Sequence, residues 1–338
     1  PYAVLHSDDG EWNQLKEHFK TFSVENVKRV LQKWPLGLQH VREDLCENKD
    51  LVRLAVKIDP ESLRFAADNL RGNVEVAKEA VSLNGLVLRD VANPARNEKA
   101  VVEAAVQNNG LALQYASDNF RRDKEVVAAA VESDADALSY ADEALRGDLE
   151  VVVAAVNEDG DALRYATTGL RNKKEVVMAA VKNNGYALAY ATSGVKADKN
   201  VVMEAVKNNG YALAYADPDL KDDKDVVMAA VKQKGGALEH AGPDLRANKD
   251  VVMAAVSQDG EALEYASDAL QEEESVVMAA VKQTGIALRY ARLVAMDAKS
   301  SKNVALAAVE QDGGALHWAG ELSNDDDVVM AAVRQDGW

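Results

Sequence analysis

The side chains in this 338-residue chain that could do chemistry are either few or periodic. There is one cysteine, Cys46, and there are five histidines, His6, His18, His40, His240 and His317. A nucleophilic cysteine needs a base to activate it, and none is in view. The histidines lack metal-binding spacing such as HExxH. No GxSxG, GxxxxGK[ST] or GxGxxG pattern is present to hold a nucleophilic serine or cradle phosphates. Asp8-Asp9-Gly10-Glu11 is too short for a calcium loop and reads as an exposed turn. Asp325-Asp326-Asp327 falls at a helix entry, where the helix dipole favours acids without any metal. The expectation is a non-enzymatic chain with no catalytic residue, no cofactor and no metal site.

Three ladders remain. Phe65, Tyr115, Tyr140, Tyr165, Tyr190, Tyr215, Tyr265, Tyr290 and Trp318 share one recurring position, with His40 and His240 substituting and Asp90 departing from it. The economical reading is a row of rings at the edge of the core, each hydroxyl meeting a polar partner in the adjacent repeat. The second ladder is basic: Arg71, Arg96, Arg121, Arg146, Arg171, Lys196, Lys221 and Arg246, ended by Cys46 and Gln271. It could take an anionic partner, but acids such as Glu125, Glu150, Glu175, Asp225 and Asp250 stand nearby to pair with it. The third ladder is methionine: Met178, Met203, Met228, Met253 and Met278, then Met330. The same position holds Lys28, Arg53, Lys78 and Glu103 earlier in the chain, with Ala128 and Val153 between the two regimes. A position that accepts charge is at least partly wet. The methionines, with Tyr186 and Tyr211 as added aromatics, are therefore the candidate partner-binding residues, since such stripes suit protein partners.

The elements that place these ladders follow from the period. A valine pair recurs at Val126-Val127, Val151-Val152, Val176-Val177 and Val201-Val202, 25 residues apart (126, 151, 176, 201). A fixed period of this length marks a stacked repeat array. Before each pair stands a residue able to cap a helix, among them Ser23, Asn48, Asn73, Asp123, Asp148, Asp198, Asp223, Asn248, Ser301 and Asp325, while Glu98, Lys173 and Glu273 break the rule. About eleven residues later comes a glycine, such as Gly110, Gly185 or Gly210, read as a left-handed helix stop. Pro35, Pro60 and Ala135 replace it in three repeats. A second short helix, such as Tyr186 to Ala191, and a turn complete the unit. Apolar spacings of three and four exclude strands.

Residues 1–50 read as degenerate units, with Trp12, Leu15 and Phe19 on a short amphipathic helix. Residues 51–290 are regular, 291–303 carry three extra residues, and 304–338 are truncated units. The whole reads as one continuous array, 1–338, and as a fragment of a longer protein. Net charge is −17, which argues against nucleic acid, whose affinity comes from basic groups meeting phosphates. No apolar run approaches the ~20 residues of a membrane span. One cysteine excludes an internal disulfide and favours a reducing, intracellular compartment. The chain begins at Pro1, so a removed targeting segment is compatible with it.

The motif ALxYAxxxLRxDKEVVxAAVxxNG, best matched over Tyr140 to Gly160, Ala162 to Gly185 and Tyr190 to Gly210, resembles the short α-helical repeat catalogued as domain of unknown function family 4116. The resemblance implies an interaction module and brings no catalytic residues with it. The expected fold is all-α, an α-solenoid (a superhelical rod) of about thirteen 25-residue two-helix repeats. The expected function is a scaffold or adaptor that binds a protein along one face. Two alternatives stay open: an architectural subunit of a large assembly, such as an organellar one, and the non-catalytic arm of a larger effector or enzyme.

Overall fold

A computed structural model describes residues 21–336. The helix expected around Trp12, Leu15 and Phe19 lies outside the described residues. Among the described residues every regular element is helical and there is no strand. The chain is an all-α repeat solenoid, and each period resolves into three pieces. Residues 124–146 show the pattern: an α-helix Lys124–Ser133, a 3-10 helix Ala135–Tyr140 and a single α-turn Glu143–Arg146. Lys199–Asn208, Gly210–Tyr215 and Pro218–Lys221 repeat it. The expected second helix is thus the 3-10 segment. What read as a turn after it holds one more helical turn, opened in two repeats by Pro218 and Pro243 at its first position, where a missing N–H costs nothing.

Two compact units divide the chain. One comprises residues up to 158 with 165–167, the other residues 159–164 and those from 168 onward. The first holds the long helices from Val24–Leu31 to Leu149–Glu158, the second those from Lys174–Asn183 to Asp326–Asp336. Within each unit, long helices pack on the long helices of neighbouring repeats, and 3-10 helices pack on 3-10 helices. The core lies between these two layers. In one repeat of the second unit, Val201, Val202, Ala205 and Val206 from the long helix meet Ala212 and Leu213 from the 3-10 helix, all without solvent exposure. Ten-residue helices are too short to persist alone in water, so this burial stabilises them.

The caps fall largely where the sequence places them. Asp123 accepts from the N–H groups of Glu125 and Val126, and Asp198 from those of Asn200 and Val201. Glu98, Lys173 and Glu273 make no such bond. Ser301 is a correction. The three extra residues extend that helix to Ala298–Gln311, so Asp297 caps it, and Ser301 is buried within it with its hydroxyl donating to the carbonyls of Leu293 and Asp297.

The glycines are a second correction. They do not close helices in the left-handed conformation. In the glycine-bearing repeats such as that of Lys199–Asn208 the residue after the long helix is extended (Asn209 has φ −146° and ψ 115°), and the glycine then opens the 3-10 helix. Among the described residues only Gly320, at φ 60°, has positive φ. The requirement for glycine comes from the next repeat. A Cβ on Gly185 would lie 2.5 Å from the carbonyl oxygen of Ala205, and one on Gly110 only 2.2 Å from that of Ala130.

Candidate protein-interaction surface

Side chains that hold repeats together must be separated from those left over for a partner. In many repeats from Lys99–Asn108 onward the last residue of the long helix is an amide or hydroxyl side chain that grips the preceding repeat. Asn208 accepts from the N–H of Gly185 at 2.8 Å and donates to the carbonyl of Lys182 at 2.9 Å. Asn108 does the same to Gly85 and Ser82, at 2.7 and 3.0 Å. Ser133, Gln233 and Gln283 accept from Gly110, Gly210 and Gly260. Sequence reasoning missed this row. The recurrent Asn or Gln two residues before glycines such as Gly110, Gly185, Gly210, Gly235, Gly260 and Gly285 was the signal for it.

Charge is paired in a register the sequence reading did not anticipate. Four of the acids expected to neutralise the basic ladder, Glu125, Glu150, Asp225 and Asp250, bind the first lysine of the preceding long helix instead, while Glu175 follows a helix that opens with Leu149. Lys99 meets Asp123 and Glu125, and Lys124 meets Asp148 and Glu150. In the second unit Lys174 meets Asp198, Lys199 meets Asp223 and Asp225, and Lys224 meets Asp250. Within the basic ladder Arg71 and Arg121 do pair with acids, Asp68 and Asp118 at 2.5 Å each, and other members cap carbonyls at the 3-10 ends. Arg96 donates to Val91 and Arg89 at 2.8 and 2.7 Å, Lys221 to Ala214 at 2.7 Å, and Gln271 to Leu263 and Glu264 at 3.0 and 3.1 Å. Cys46 fills the same role, its thiol 3.6 Å from the Leu38 carbonyl and pushed up in pKa first by burial, then by Glu43 and Asp44. A thiol so placed is a ladder side chain with a depressed thiolate fraction.

The aromatic ladder is largely half-buried, and its contacts join repeats. Tyr186 meets Tyr215 edge-on at 6.2 Å between ring centres, and Tyr211 meets His240 at 6.4 Å. The hydroxyl of Tyr290 faces Glu264 in the preceding repeat and Arg289 in its own. Burial lowers the pKa of His240, so its imidazole favours the neutral form. Tyr186 and Tyr211, the second residues of their 3-10 helices, therefore pack against the aromatic row. The structure keeps Tyr186 39 % exposed and half-buries Tyr211.

The five methionines Met178, Met203, Met228, Met253 and Met278 sit at the same place in five successive long helices, all in the second unit and all half-buried. Val176, Val177, Ala180 and Val181 form the buried face of the first of these helices, and Met178 lies beside that face, off the core. The first unit shows what this position touches. Arg53 pairs there with Glu75 and Glu79 of the next long helix, at 2.9 and 2.8 Å, and Lys57 reaches the same Glu79 at 3.3 Å. Each is a contact from position n to the next helix (Arg53 to Glu79 is 79 − 53 = 26). Lys199 to Asp225 confirms that step in the second unit (225 − 199 = 26). In that register Met178 stands opposite Glu204, and Met203, Met228 and Met253 stand opposite Ala229, Ala254 and Ala279. A charged pair in one unit is thus replaced by a shallow apolar strip in the other.

The chain matches the family described as domain of unknown function (DUF4116) over residues 24–71, 48–93, 99–146, 148–194, 198–246, 248–293 and 301–338. It belongs to this family. Each match covers roughly two periods, so the DUF4116 unit corresponds to a pair of the stacked repeats described above. No curated protein and no solved structure matches the chain. No helix among the described residues of this DUF4116 chain is long and apolar enough to cross a membrane.

Proposed function

We propose that this chain is a non-enzymatic scaffold or adaptor, and that a protein partner docks on the strip of Met178, Met203, Met228, Met253 and Met278, with Tyr186 and Tyr211 as neighbouring aromatic contacts. One observation carries the reading. Five half-exposed methionines recur at one place on successive long helices, where the first unit carries exposed Lys28 and Lys78 and the ion-paired Arg53. The fold does not require an apolar side chain there. Methionine is flexible and polarisable, which suits it to contact surfaces, and aromatic residues and methionine are enriched in interface cores.

The test replaces Met203, Met228 and Met253 by lysine. Because Lys28 and Lys78 occupy the position in folded repeats, the triple variant should keep the parent's far-UV spectrum and melting profile. It should lose the proteins that cross-link to the parent. A variant that unfolds would make the methionines core. A variant that folds and keeps every cross-linked partner would move the docking site elsewhere.

A further inference from the structure

We infer that the partner segment docking on the methionine strip is an acidic amphipathic helix laid across the long helices. This rests on the docking reading above and adds its charge and spacing. One turn beyond four of the methionines stand Lys182, Lys207, Lys232 and Lys282, all exposed in the last turn of their helices. Among the described residues none of the four has a carboxylate within ion-pairing reach.

The comparison with the first unit explains why. Lys57 there is held by Glu79. At the equivalent places opposite Lys207 and Lys232 the chain has Ala229 and Ala254, while Lys182 faces Glu204, which stands outside ion-pairing reach. The lysines on the other border of the strip are different: Lys199 and Lys224 are already bound to Asp223, Asp225 and Asp250. In a chain of net charge −17, the exposed charge in the last turns beside the methionines is therefore positive, and Glu204, next to Met203, is a carboxylate on the strip itself. A lysine at a helix C-terminus gains from the helix dipole alone. That gain does not explain why the row coincides with the methionine row, since the first unit has Ser82, Gln107 and Glu132 at the same place.

Spacing fixes the rest. Packed helices lie ~8–10 Å apart, and an α-helix rises ~1.5 Å per residue. A partner helix running across the repeats meets successive methionines about every five to seven residues, and within that range a seven-residue interval returns to the same face of the helix. It presents apolar side chains at that heptad interval and carboxylates along the flank facing the lysines.

Fluorescein-labelled helical peptides of about 21 residues are long enough to cross four long helices. One peptide carries leucine at every seventh position with glutamate on one flank; the other carries lysine on that flank. Each is titrated against the full chain and followed by anisotropy. The glutamate peptide should bind the parent, and should bind K182E/K207E/K232E about tenfold or more weakly, as it should at raised salt. The milder K182Q/K207Q/K232Q variant should fall between, and carries the test if the charge reversal disturbs the far-UV spectrum. Unchanged affinity of the glutamine variant overturns the inference. A lysine peptide that binds the parent as tightly also overturns it, yet leaves the methionine strip standing if M203K/M228K/M253K releases that peptide. Failure of both peptides to bind overturns it. So does co-sedimentation with phosphatidylserine vesicles without peptide binding, which would assign the lysine row to an anionic lipid surface.

Discussion

A single β-carbon sets how closely two repeats approach. Gly185 carries none, and the carbonyl of Ala205 occupies the space one would need. Gly185→Val should therefore push the repeats apart and lower stability by ~1–3 kcal/mol, as overpacking does, read as a drop in the urea midpoint. Ala135 shows the chain accepting one methyl group at this position, so the bulkier, branched side chain is the informative variant. A melt unchanged from the parent would mean the backbone contact is not what fixes the glycine. The glycine was legible in the sequence, and its reason was not. A glycine after ten helical residues reads as a left-handed stop, because the constraint that selects it lies a full repeat away. The same distance hid the free lysines. Lys207 lies close in sequence to acids such as Glu204, but its pairing is decided by what the next helix offers, which is Ala229.

Short elements depend on their ends. Asp223 accepts from the N–H groups of Asp225 and Val226 and meets Lys199 at 2.7 Å. Lys199 first, then those backbone donors, hold its carboxyl below the usual carboxylate range against the opposing effect of burial. A carboxyl depressed in the folded state contributes stability that is fully present above its unfolded value of about 3.9. That contribution is lost as pH falls through the lower folded value. Asp148 and Asp198 are shifted the same way by Lys124 and Lys174. The protein should thus melt at lower temperature at pH 3 than at pH 6. Asp223→Asn, which keeps an acceptor oxygen but has no charge to lose, should narrow that gap. Asp223→Ala should cost ~1 kcal/mol at neutral pH through the lost cap. An equal gap in the Asn variant would place the acid sensitivity elsewhere. These caps were legible from residue type and position. The split into a 3-10 segment and a separate α-turn was not. Over six residues a period of 3.0 and one of 3.6 select nearly the same apolar positions, and Ala212 and Leu213 satisfy either.

At the scale of the molecule, the main contacts within each unit, among the described residues, join neighbouring repeats. The stability of such an array is close to a sum of repeat terms and nearest-neighbour interface terms. The exposed lysine–aspartate pairs add little to those interfaces, so the buried apolar row carries them. Leu213 is fully buried between the layers of its repeat. Leu213→Ala should cost ~2–5 kcal/mol through lost burial and the cavity left behind. Because the loss is transmitted only through interfaces, its effect should be local. Amide exchange should accelerate most over residues 199–221, less over 174–196 and 224–246, and least over 274–290, measured by hydrogen–deuterium exchange on the intact chain. A single globular core would instead spread the loss evenly. Uniform acceleration across the second unit would therefore contradict nearest-neighbour coupling. A graded profile would show the array yielding repeat by repeat, which would let a partner on Met178 to Met278 stabilise the stretch it spans and leave repeats outside it unprotected.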